Sequence, residues 1–217
     1  MPDYDAVAEE YSRALDPDGA GLDDPVLREL VGDVAGKDVL DLACGQGQAA
    51  RLLAGVGARV TALDVSAEML AHARRHEETQ RRGITYVHGD AQKLPFADGS
   101  FDGVVCHMAL IDIADLSATI SSVARVLRRC GWFVFSIVHP AFHNHVETVD
   151  DYLVDHRYNK LAPPDWLPPH AYHRPLSTVI NELGAAGLLI ERIAEVHWRP
   201  EDAGGVPGLL YARTAKR

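Results

Sequence analysis

Along the chain, short apolar runs alternate with longer stretches in which apolar residues recur every three or four positions. The first such stretch, residues 5–15, sets Val7, Ala8, Tyr11, Ala14 and Leu15 on one side of an amphipathic helix. A segment of Pro, Gly and Asp at 16–24 breaks it. Asp24-Pro25 then supplies an N-cap and a first-turn proline for a second helix, 25–34. From there strands predicted at 39–42, 59–63, 84–87, 101–106 and 132–138 alternate with helices at 46–54, 67–81 and 116–127. Ser66 caps the helix at 67–81, with Glu68 in its first turn. After residue 173 the rhythm resumes with a helix at 176–186 ending at Gly187, a strand at 189–196 and a last apolar run at 208–212.

Apolar strands separated by helices are buried on both faces of a parallel sheet joined by right-handed crossovers. The expected fold is therefore α/β, a doubly wound Rossmann-like sheet with helices on both faces. Residues 139–173 interrupt the pattern with prolines, aromatic residues and histidines, and read as a long functional loop. At 217 residues the chain is sized for one domain. Its expected parts are an N-terminal helical cap (1–35), a ligand-binding core (36–138), the inserted substrate loop (139–173), and a C-terminal helix with strands (174–217).

Charge narrows the choice of partner. Asp plus Glu number 31 against 21 Lys plus Arg, a net charge of -10 that repels phosphate backbones and anionic lipid, so neither nucleic acid nor membrane is expected. The three cysteines, Cys44, Cys106 and Cys130, are widely spaced without a C-x-x-C pair and read as free thiols of a reducing compartment. No apolar leader and no membrane-length apolar run stands in the sequence, so the expectation is a cytoplasmic monomer or homodimer.

The chemistry concentrates at strand ends. Gly45 and Gly47, following the strand at 39–42, permit a tight turn and close ligand approach, and the helix behind them offers unpaired N–H groups. On glycine spacing alone, G-x-G-x-x-A at 45–50 also fits a dinucleotide, which leaves an NAD(P)-dependent oxidoreductase open. Asp41 argues otherwise, since a carboxylate here opposes a pyrophosphate and suits a ligand carrying ammonium and sulfonium charges. Asp64, ending the next strand, can accept both hydroxyls of a ribose. Asp90 can accept from an exocyclic adenine amine while the Ala91 N–H serves a ring nitrogen.

Residues 39–138 resemble the class I S-adenosylmethionine (SAM)-dependent methyltransferases of the small-molecule, methyltransferase-11-like type. The resemblance is carried by D-x-x-C-G-x-G at 41–47, L-D-x-S-x-x-M-L at 63–70, G-D-A at 89–91, L-P-F-x-D-x-S-F-D at 94–102 and L-R-R-x-G-x-F-V-F-S at 127–136. The family more often has glycine where Ala43 stands and P-G-G at 129–131, a turn remote from the cofactor. It implies a seven-stranded sheet with the run at 208–212 inserted antiparallel. It also implies in-line transfer of a methyl group from SAM, leaving S-adenosylhomocysteine (SAH), to a small-molecule acceptor at oxygen or nitrogen. Carried over by position, Ala43, Gly45 and Gly47 line the methionine moiety and Asp64 holds the ribose. Val65 and Met69 cover the adenine, Asp90 and Ala91 read its edge, and His107 approaches the sulfonium. Tyr4 and Tyr11 match a Y-D-x-x-A-x-x-Y opening whose helix closes over the cofactor.

For the acceptor side, His139 directly follows the fifth strand and is the candidate general base, because imidazole titrates near neutral pH. Tyr152, Tyr158 and Trp166 are available for stacking, while Tyr172 and His173, with Arg174, lead into an H-R-x-L-S-T helix entry resembling that of some small-molecule methyltransferases. Plainer roles compete: Val65 and Met69 also suit core packing, as do Tyr4 and Tyr11 on a helix. His139, His143 and His145 with Asp150, Asp151 and Asp155 match no closed ligand spacing, so no metal is expected. A catalytically silent SAM-binding protein and an RNA or protein methyltransferase are the remaining readings, the acidic charge opposing RNA.

Overall fold

The strands of the computed structural model are β1 (Asp38–Leu42), β2 (Arg59–Asp64), β3 (Thr85–His88), β4 (Phe101–His107), β5 (Leu127–Val138), β6 (His156–Asn159), β7 (His170–His173), β8 (Leu188–Val196) and β9 (Leu209–Lys216). Its helices are α1 (Ala8–Leu15), α2 (Pro25–Val31), α3 (Gln48–Gly55), α4 (Ala67–Thr79), α5 (Leu116–Val126) and α6 (Leu176–Ala185). The structure describes residues 3–16, 22–142, 151–159, 167–168, 170–197 and 205–217. Seven strands form one sheet in the order β3-β2-β1-β4-β5-β9-β8. β1 to β5 are parallel, and β9 lies antiparallel between β5 and β8.

Residue alternation along the strands sorts the core into two layers. Leu40, Leu42, Val104, Cys106, Phe133, Phe135 and Ile137 face α5 and α6, with Ile120, Val123, Val179 and Leu183 against them. Val39, Val105, Trp132, Val134 and Tyr211 face α2 and α3, meeting Leu27, Leu30, Ala50 and Leu53. Burial on both faces explains why these strands show no polar side in the sequence. Local capping agrees with the chain's own signals: Asp24 accepts from Leu27 N–H at 2.8 Å, Ser66 from Met69 N–H at 3.0 Å and Asp115 from Ala118 N–H at 2.8 Å. Among the described residues no helix is long and apolar enough to cross a membrane.

Two expectations change. Residues 139–173 are not loop throughout: β6 and β7 pair antiparallel, from His156 opposite His173 to Asn159 opposite His170. Their His, Arg and Tyr residues lack the apolar alternation by which a strand is recognised. The turn expected at 129–131 is instead a bulge inside β5, where the pairing steps from Phe101–Leu127 to Gly103–Trp132 and Cys130 takes a left-handed φ of 62°.

That register places the Trp132 indole directly over Gly103. A Cβ added there would fall 2.1 Å from the ring. Neither the paired strands nor the buried indole has room to retreat. Gly103→Ala is expected to cost about 2 kcal/mol and to lower the thermal midpoint by roughly 5 °C, read by circular dichroism; an unchanged midpoint would contradict this packing.

Candidate functional site

The C-terminal ends of the parallel strands gather the chemistry. The turn after β1 rests on left-handed backbone at Ala43 (φ 55°), Gly45 (54°) and Gly47 (80°). Gly47 N–H returns to Cys44 C=O at 2.9 Å, and Gly47 is also the N-cap of α3. A Cβ at Gly47 would sit 2.6 Å from the Tyr86 hydroxyl, so conformation and space both select glycine. Ala43 holds the same backbone region with a side chain, at a cost of about 1 kcal/mol.

Asp64 organises the neighbouring elements. Its carboxylate accepts from Gly45 N–H at 2.7 Å and Ser66 N–H at 2.8 Å. Ser66, besides capping α4, donates its hydroxyl to Asp5 at 2.6 Å, and Asp5 also accepts from Glu68 N–H at 3.1 Å. These bonds hold Asp5 below the usual carboxylate range. The other end of the N-terminal segment is tied down by a buried ion pair between Asp16 and Arg51, whose guanidinium also donates to Gln46 C=O at 2.7 Å. The segment carrying Tyr4 and Tyr11 is thus anchored at both ends onto the loops after β1 and β2.

Asp41 is 1% exposed, and one of its carboxylate oxygens has no hydrogen-bond partner among the described residues. Both side-chain polar atoms of Gln46, also buried, likewise have no partner among the described residues. Burial pushes Asp41 up to about 7, helped by the Asp64 charge and opposed by the Ala50 N–H and Arg51. Burial likewise raises Asp64. Met69 is buried, its methyl 3.1 Å from where a Gly45 Cβ would stand, whereas Val65 is 41% exposed at the mouth. Asp90 accepts from Gln92 N–H at 2.9 Å and from its side-chain amide at 3.0 Å, beside buried Ala91.

His107, the last residue of β4, bonds Ser136 Oγ through Nδ1 at 2.8 Å and lies 3.9 Å from Asp24, which accepts the Tyr211 hydroxyl at 2.8 Å. Burial lowers the His107 pKa, favouring neutral imidazole. The turn after β4 contributes Asp112, 8% exposed, which accepts the Tyr4 hydroxyl at 2.7 Å. Sequence reasoning passed over Asp112, although an acid inside the apolar run Leu110-Ile111-Asp112-Ile113 is a signal that a buried charge has a purpose. It also passed over Asp5, Asp16 and Arg51, whose partners are distant in sequence.

On the acceptor side, both His139 ring nitrogens are engaged, Nε2 with Glu195 at 2.7 Å and Nδ1 with Ala141 N–H at 3.2 Å. The Tyr152 hydroxyl accepts from Leu176 N–H at 3.0 Å at the start of α6, and its carbonyl meets His173 Nε2 at 3.0 Å. Tyr172, His173 and Arg174 line a small, mostly apolar cavity of about 20 Å³ with Leu110, Ile111 and Ile137. Trp166, His143, His145 and Asp150 lie outside the described residues.

The family described as "Methyltransferase domain" matches residues 40–135. An S-adenosylmethionine dependent methyltransferase from Mesorhizobium loti is 30% identical, with a TM-score of 0.75 over 88% of this chain and 96% of that one. The chain belongs to the SAM-dependent methyltransferase family. A demethylmenaquinone methyltransferase of Beutenbergia cavernae is 37% identical across 60% of this chain and 54% of its own length. A ubiquinone biosynthesis O-methyltransferase of Thiobacillus denitrificans is 36% identical across 48% and 45% respectively. The chain thus spans about half the length of the curated relatives it matches.

The raised Asp41 carboxyl gives the protein a testable pH response. An unfolded aspartate titrates near ~3.9, so between about pH 4 and about 7 the unliganded fold keeps a proton that the unfolded chain has lost. Stability contributed by that proton is present below the unfolded value and is lost as pH rises through the folded one. Asp41→Asn is therefore expected to gain on the wild type in urea midpoint from pH 5 to 7.5; a constant difference across that range would disprove the buried, protonated carboxyl.

Proposed function

We propose that the protein transfers the methyl group of SAM to a small-molecule acceptor by in-line displacement. The observation that carries this reading is the buried, half-unpartnered Asp41 beside a cradle in which a Cβ at Gly47 would strike Tyr86. A pyrophosphate would meet this carboxylate as a like charge, whereas the ammonium of SAM supplies the cation that a buried acid lacks. The residues present therefore fit SAM. The fit disfavours an NAD(P)-dependent oxidoreductase.

In this reading Ala43, Gly45 and Gly47 line the methionine moiety, Asp41 receives its ammonium, and Asp64 holds the ribose while keeping its two backbone bonds. Exposed Val65 and the buried Met69 flank the adenine, with Asp90 and Ala91 at its edge. His107, fixed by Ser136, faces the sulfonium as a neutral ring. Tyr4 and Tyr11 close the site from the N-terminal side. SAM supplies the transferable methyl when bound. The protein's task is to align the acceptor, exclude water and take up a proton. The acceptor approaches from the side of Tyr172 and His173, with Tyr152 behind them. His139, tied at both nitrogens, holds the end of β5 rather than moving a proton. The net charge of -10 favours a dissolved acceptor over nucleic acid or anionic membrane, and three free cysteines suit the cytoplasm.

Calorimetric titration of SAM and, separately, NADH tests the cofactor directly. SAM is expected to bind in the micromolar range and NADH not at all. Asp64→Ala, which removes the ribose acceptor and releases Gly45 N–H, is expected to weaken SAM by about tenfold or more. Binding of NADH instead, or of neither, would overturn the reading.

A further inference from the structure

Three adjacent strands carry a polar row of which the cofactor reading uses one member. His107 on β4 is paired in register with Ser136 on β5, and Ser136 with Tyr211 on β9, so the three side chains stand side by side on one face of the sheet. The Tyr211 hydroxyl donates to Asp24, the N-cap of α2, at 2.8 Å, and the His107 and Tyr211 rings lie 6.3 Å apart. Asp24 closes the row, one of its oxygens 3.9 Å from His107 Nδ1.

Hydrogen bonding along this row fixes the proton on His107. Ser136 is 0% exposed, and its Oγ accepts Met108 N–H at 3.0 Å. Among the described residues its other partner is His107 Nδ1, at 2.8 Å. Were Nδ1 protonated, Oγ would receive two donors, and the buried hydroxyl proton of the serine would be left without an acceptor. Asp24 offers Nδ1–H no alternative: 3.9 Å is beyond hydrogen-bond reach, and its two oxygens already accept from Leu27 N–H and the Tyr211 hydroxyl. The serine therefore donates, Nδ1 accepts, and the proton of the neutral imidazole lies on Nε2. Burial lowers the His107 pKa against the pull of the Asp24 charge, and burial of Tyr211 keeps that phenol protonated. Nε2 has no partner among the described residues, and the His107 side chain is 20% exposed.

We propose that Ser136 is a positioning residue that holds His107 as the neutral Nε2–H tautomer, so that His107 serves the methyl-transfer end as a hydrogen-bond donor and not as a base. This rests on the SAM reading above, which sets His107 at the sulfonium. Protonating Nδ1 would break the bond from Ser136, so the ring is kept from placing a second positive charge beside the sulfonium. A proton released by the acceptor is consequently taken by a group other than His107.

Nitrogen NMR spectra of the histidine rings, recorded on isotope-labelled protein saturated with SAH, read the tautomer directly. His107 is assigned by the signals that His107→Gln removes. The Nε2–H form is expected to exceed the Nδ1–H form by about tenfold or more between about pH 6 and about 8. In Ser136→Ala, which removes only the hydroxyl, that excess should fall by about tenfold, and the charged ring should form at higher pH than in the wild type. The ratio of SAM to SAH affinity gives the functional readout, because the two ligands differ by the methyl group and its charge while sharing the groups that meet Asp41 and Asp64. It is expected to stay level in the wild type from about pH 8 to about 6 and to fall by about threefold or more in Ser136→Ala. A predominant Nδ1–H or charged ring in the wild type overturns the proposal. So does a tautomer or an affinity ratio that Ser136→Ala leaves unaltered. Failure of the wild type to bind SAM or SAH, seen in separate titrations, would sink the cofactor reading itself, and the tautomer of the unliganded protein would still be readable.

Discussion

The hydrogen bond from Gly45 N–H to the Asp64 carboxylate locks the turn after β1 onto the end of β2, and most of the site takes its position from that one acid. Through its other oxygen Asp64 fixes Ser66, which caps α4 and binds Asp5 in the N-terminal segment. A glycine-bearing turn, a helix start and the N-terminal segment are therefore registered against a single side chain. The parallel sheet makes this arrangement available, because adjacent strands end side by side at the same edge.

The arrangement has an electrostatic cost. Burying Asp41 and Asp64 raises both acids, so the fold resists ionising these carboxylates. Left-handed backbone at Ala43 and Met108 adds strain at the same edge. The rest of the molecule offsets this through two apolar layers in which Phe133, Phe135, Leu40 and Leu53 are wholly or almost wholly inaccessible. Packing is consequently separated from the polar cluster by position on the strand: apolar side chains sit along the strands, buried acids and left-handed turns at their tips.

The sheet was legible because its strands are apolar on both faces and its helices carry caps, so that β1, β2, β4 and α4 fall within a residue or two of their expected limits. The β6–β7 hairpin was not, since its side chains are polar or aromatic and its pairing is set by tertiary contacts. Among site residues, the glycine turn with Asp41 and Asp64 could be read from spacing, because the chemistry there is local to a few positions. Asp112 with Tyr4, and Asp16 with Arg51, are separated by 108 and 35 residues and have no local signature. His139 stands at the strand end where the sequence puts it, and its two partners, the exposed Glu195 on β8 and the Ala141 amide, have no local signature either.

The placement of β9 also bears on how the chain is made. β8 joins the sheet only through β9, which pairs with β5 on its other side. During synthesis, β1 to β5 can associate as they leave the ribosome, but β8 has no neighbour until β9 has emerged behind it. Until then the β5 edge, bearing Phe133, Phe135 and Ile137, is unpaired. Such an edge is a template for strands of other chains, and the interval before β9 arrives is when a nascent chain is most exposed to misassembly.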